Sequence, residues 1–169
     1  MPKWVGMAIL LLGAPLCMSQ IMTSGGKVCV ARIANSSGKP VAMARLQDEL
    51  MAQLQKRKLE AAAAPTMTLL ANRLALSQSN REAMHALQCD FLMLSQVETA
   101  HSGEQLNLEF ALFASDSHFL RRAVIPAGPA DSPEAALPAA GPVAEEVART
   151  VSRKKKKTRV SQPASGDRI

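Results

Sequence analysis

Asp116, Ser117 and His118 together supply the residue types of a hydrolase relay: carboxylate, hydroxyl and imidazole. Side chains adjacent in sequence cannot reach the geometry in which one group orients the next, so this triplet reads as a hairpin turn. His85, His101 and His118 are the only histidines. They fall on a helix, a turn and the start of a strand, with no paired spacing, whereas zinc usually wants three or four ligands. Gly25-Gly26-Lys27 contains part of a phosphate loop but lacks the preceding strand and the full G-x-x-x-x-G-K-[ST] spacing. Glu145 and Glu146 read as solvated helix residues. No catalytic residue, metal site or cofactor is assigned, and a non-enzymatic protein is expected.

The elements that would position any chemistry begin with a leader. Lys3 supplies a positive charge, Val5 to Met18 form an uncharged, mostly apolar run, and Ser19 is a suitable last residue before cleavage. Residues 1–19 are therefore expected to be a signal peptide. The run is about 14 residues long, shorter than the roughly 20 that a membrane-crossing helix needs. Cys17 offers an alternative, a lipid-anchored amino terminus. Leu16 and Ala14 stand where a lipoprotein signal wants a small residue and Leu, so cleavage after Ser19 is the main expectation. The protein is expected in the periplasm or secreted.

Composition bounds what remains. About 150 residues suffice for one domain with a real core. Aromatic residues make up only 3% of the chain, with no Tyr, which argues against a stacking platform for bases or sugars. The formal net charge of +6 is unevenly placed. Eight of the 20 Lys and Arg lie from Arg149 onward, opposed there only by Asp167. Between Gln20 and Ala148, 11 basic residues face 13 acidic ones, a net of −2.

After a short leader (20–26), Lys27 to Ala34 reads as a buried strand closed by Asn35-Ser36-Ser37-Gly38. Val41 to Lys58 carries Met43, Leu46, Leu50 and Leu54 at helical spacing, with Lys56-Arg57-Lys58 at the end where the macrodipole favours cations. Leu59 to Ala64 reads as a strand and Met67 to Leu76 as a short helix. Ser79 or Asn80 caps the next helix, which turns Ala83, Met84 and Leu87 inward. Cys89 to Thr99 is a strand apolar on both faces at first. In Gln105 to Ala114, Leu106, Leu108, Phe110 and Leu112 alternate with Gln105, Asn107 and Glu109, which point the other way. His118 to Ile125 completes an antiparallel meander, and 127–142 reads as a Pro/Ala-rich loop. A closing helix starts near Val143 and dissolves near 152 into a disordered basic tail, 152–169. The expected fold is an α/β (α+β) sandwich over 27–151, a mixed sheet in the order β-α-β-α-β-β-β-α with helices packed on it.

The first strand ending in Asn35-Ser36-Ser37-Gly38, the long helix, and Ala86-Leu87-Gln88-Cys89-Asp90-Phe91-Leu92-Met93-Leu94 together resemble one group of bacterial envelope domains. These are the small domains similar to the amino-terminal domain of TolB, also found in curli-secretion and penicillin-binding-protein-activator lipoproteins. The resemblance implies a periplasmic or envelope protein that binds other proteins or helps assemble complexes, and it carries over no active-site residues. Gln88 stands where that group often has Gly. The resembled fold sets the first strand beside the strand beginning at Cys89, which implies that Cys29 and Cys89 approach within bridging distance. The alternative is that both are small apolar core residues.

The expected partner is another envelope protein, with contact assigned to the basic tail at Arg153, Lys154, Lys155, Lys156, Lys157 and Arg159, and more weakly to the exposed face of the first helix. The rival reading is a membrane-surface protein tethered electrostatically through that tail to anionic lipid. Export argues against a nucleic-acid partner. The sequence leaves the oligomeric state and the partner's identity open.

Overall fold

The computed structural model describes residues 25–65 and 76–160, with side chains as far as 156. The expected signal peptide, Cys17, most of the 20–26 leader, the expected helix over 67–76 and the 161–169 segment lie wholly or almost wholly outside the described residues. Strand β1 (Lys27–Ala31) buries Val28, Cys29, Val30 and Ala31 without alternation, as a strand covered on both faces must. A two-residue strand, β2 (Ala34–Asn35), follows, which the expected element order lacked. Gly38 takes a φ of 68° in the turn beyond it, a conformation that costs glycine little.

Helix α1 (Met43–Lys56) buries Leu46, Leu50 and Leu54, one apolar residue per turn. Strand β3 (Glu60–Ala64) and helix α2 (Gln78–Ala86) come next. Ser77, rather than Ser79 or Asn80, caps α2: its Oγ accepts the Asn80 N–H at 3.2 Å, while Asn80 itself is buried. Strands β4 (Phe91–Thr99), β5 (Gln105–Ala114) and β6 (Phe119–Pro129) form the meander. The sheet order is β3-β1-β4-β5-β6, with β2 pairing alongside β4. β1 runs parallel to β3 and β4, whereas β4, β5 and β6 are antiparallel. The protein thus has a mixed sheet with helices packed on it, an α+β fold.

Helices α1 and α3 (Ala140–Val160) close the larger core over one face. A smaller core on the other face gathers Cys29, Cys89, Met84, Leu92, Leu94 and Phe113 under α2. Two boundaries near the carboxyl end differ from expectation. The 127–142 segment is largely ordered: β6 runs on to Pro129, a short 3-10 turn occupies Leu137–Ala139, and α3 starts at Ala140 rather than near Val143. The prolines fit because Pro138 and Pro142 lie in first turns, where no backbone N–H is needed. Ala136, Ala139 and Ala140 meanwhile pack with almost no exposure. The second correction is that α3 does not dissolve at 152 but continues to Val160. Lys154 and Lys155 lie one turn below Val151 on the inward face, and Lys154 Nζ stands 3.3 Å from Asp116 Oδ2. The self-repulsion of the basic block is offset there by a carboxylate on the body.

Candidate functional site

Cys29 points from β1 into the smaller core, and Cys89 lies just ahead of β4, the strand paired with β1. The register Val28–Phe91 brings their Cα atoms to 5.8 Å, and the two sulfurs are bonded. Cys29 is fully buried and Cys89 nearly so. The bridge ties together residues 60 apart in sequence.

The Asp116-Ser117-His118 triplet occupies the turn between β5 and β6. The His118 N–H donates to Asp116 Oδ1 at 3.1 Å, and the His118 ring is largely exposed, 3.7 Å from the same carboxylate. Ser117 adopts a φ of 63°, so the turn is a backbone device rather than a relay. Burial alone would raise the Asp116 carboxyl. The His118 N–H, Lys154 and the His118 ring outweigh it and hold the group below its usual range. His85 and His101 are both exposed, on α2 and in the turn before β5. Among the described residues no three His, Cys, Asp or Glu side chains gather as metal ligands.

One polar cluster escaped the sequence reading. Glu109, placed by alternation among outward residues of β5, is only 2% exposed. Gln96 Nε2 donates to its Oε2 at 2.7 Å from β4, and Arg122 Nε donates to its Oε1 from β6. The cross-strand register that aligns Glu109 with Gln96 creates this arrangement. With both oxygens occupied, the side chain ties β5 to both of its neighbouring strands. No local signal identifies it, because Gln96 and Arg122 are each 13 residues away.

Among the described residues, open grooves lie at three places. One, about 650 Å³, lies at the carboxyl ends of β1 and β3 and is lined by Arg32, Asn35, Gln47 and Asp48 with Met43 and Met51. A second, about 550 Å³, adjoins the end of α2 at His85 and Asp90. A third, about 460 Å³, runs between β6 and α3, with Leu120 and Thr150 bordered by Arg121, Arg153 and Lys154. The Arg121 guanidinium is held by Glu146 at 2.9 Å.

The expected contact residues separate by role. Arg153 and Lys156 are exposed, whereas Lys154 and Lys155 are half-buried against the body. Lys155 runs alongside Gly26: a β-carbon on that glycine would lie 3.6 Å from Lys155 Cε. Lys157 and Arg159 belong to the same helix by position, beyond the described side chains.

Comparison with solved structures bears on this geometry. TolB from Acinetobacter baumannii superposes with a TM-score of 0.50 at 10% identity, covering 76% of this chain. The chain resembles TolB in fold. It spans 29% of the length of that TolB chain, and at this identity the likeness concerns fold alone. A PelC dodecamer from Paraburkholderia phytofirmans gives a TM-score of 0.48 at 18% identity, covering 75% of this chain and 89% of that one. Lipoprotein GNA1162 from Neisseria meningitidis gives 0.45 at 14% identity, covering 77% and 96%. No protein-family model and no curated protein sequence matches the chain. Among the described residues no helix is long and apolar enough to cross a membrane.

Proposed function

We propose that this is an exported cell-envelope protein that works without catalysis, as a binding or assembly accessory to another envelope protein. The observation that carries the reading is the Cys29–Cys89 bridge inside a TolB-like fold. Disulfides persist in oxidising compartments and are rare in the cytosol. The leader-like amino terminus supports the same address. The polar clusters support a binding role, because their groups are engaged in fold-holding contacts: Glu109 with Gln96 and Arg122, and Asp116 with Lys154 and the His118 N–H.

Protein contact is assigned first to the basic end of α3 and second to the outward side of α1. A photo-crosslinker at Asp48, exposed on α1, tests the second assignment in living cells, and one at Arg153 tests the first. The reading expects a discrete adduct with an envelope protein from at least one position. Adducts exclusively with cytoplasmic proteins, or cross-links to no protein at either position, would contradict it.

A further inference from the structure

We propose that the end of the domain where both long helices finish is a docking face for the anionic headgroups of a phospholipid bilayer. This rests on the exported reading and extends it from a tail to a built surface: the basic end of α3 faces lipid, which leaves the outward side of α1 for the protein partner. β1, β3 and β4 all start at this end, and β5 returns to it at the 115–118 turn. α1 follows the β1/β2 strands and α3 follows β6, so each runs back and terminates there.

Gly25 and Gly26 mark the centre. A β-carbon on Gly25 would stand 2.2 Å from the Lys58 carbonyl oxygen at the end of α1, and the Lys155 stem flanks Gly26 from α3. Two basic segments separated by about 95 residues in sequence thus border one point. Lys27, residues 56–58 and residues 153–156 place eight cations at this end, against Glu60, Asp90 and Asp116. Lys56, Lys58, Arg153 and Lys156 are exposed and available to a surface. At the opposite end Asp48, Glu98, Glu104, Asp131 and Glu134 outnumber Arg32, Lys39 and Arg45. A body with a net charge near zero is therefore strongly polarised, and a charged plane would orient it.

One feature favours a lipid surface over a peptide or a polynucleotide. The cations are spread across the end of the molecule on three elements, which matches a planar array of charges.

The test uses the exported chain purified from the envelope and vesicles of phosphatidylcholine with or without anionic phosphatidylglycerol. The proposal expects flotation with the anionic vesicles only, weakening as salt rises. K56Q/K58Q and R153Q/K156Q should each bind about thirtyfold more weakly, since each near-surface cation contributes about fivefold. R32Q/K39Q, at the other end, should bind as the parent does. The proposal is overturned if K56Q/K58Q binds like the parent, which would leave a simple basic tail. It is equally overturned if vesicles without phosphatidylglycerol bind as well, or if a DNA duplex at the same salt binds more tightly. Because these mixtures contain no second protein, failure here leaves the crosslinking test of the accessory reading untouched.

Discussion

A methyl group on Gly25 has nowhere to go. The obstacle is the Lys58 backbone carbonyl, which cannot rotate aside as a side chain would. Gly25→Ala should therefore displace the chain entry and cost about 1–3 kcal/mol, measured by urea unfolding. Glu109 sets up a second residue-scale prediction. It is nearly fully buried, while Arg122 is about half exposed. Arg122→Met would leave the carboxylate with one side-chain donor among the described residues, Gln96, and a loss of about 2 kcal/mol is expected. Ser95 makes the opposite case: its fully buried Oγ has no hydrogen-bond partner among the described residues. Ser95→Ala should be neutral or stabilising in the same assay. Neither Glu109 nor Ser95 stands out in the sequence. Burial of a polar strand residue depends on what covers it, which alternation along one strand does not encode.

Among the elements, those with strong periodicity were readable from the sequence and those controlled by distant charge were not. Leu46, Leu50 and Leu54 announced α1, and Leu106, Leu108, Phe110 and Leu112 announced the buried side of β5. The end of α3 was misread because a run of cations was weighed alone, without Asp116, which lies 38 residues earlier in the chain. That contact gives a pH prediction. The folded Asp116 pKa is depressed, so its contribution is present above the usual carboxylate range and is lost as pH falls through the lower folded value. The pair is exposed, so solvent screening limits it to about 0.5 kcal/mol or less. The stability difference between the parent and Asp116→Asn should be visible at pH 6 and should close as pH falls below the usual carboxylate range, followed by circular dichroism. A difference that persists at low pH would assign the effect to something other than the carboxylate charge.

On the scale of the whole molecule, topology joins what the sequence keeps apart. The class of fold and its likeness to TolB were readable from strand order, the Asn35-Ser36-Ser37-Gly38 turn, the long first helix and the Cys89 to Leu94 segment. The polarised charge was not, because the basic ends of α1 and α3 meet only once both helices are known to run the same way. The Cys29–Cys89 bridge likewise spans the fold, pinning β1 to the segment that enters β4. Closing a loop of 60 residues is worth about 4 kcal/mol in the chain-entropy account. Cys29→Ala/Cys89→Ala should therefore unfold at markedly lower urea, and treating the parent with reductant under denaturing conditions should give the same loss.

Export into an oxidising compartment is tested most directly by the intact mass of the chain recovered from its native cell envelope, alkylated before and after reduction. The expected result is a chain beginning at or near Gln20 whose two remaining cysteines, Cys29 and Cys89, accept label only after reduction. A chain beginning at Met1, with Cys29 and Cys89 labelled under denaturing conditions without reductant, would contradict it.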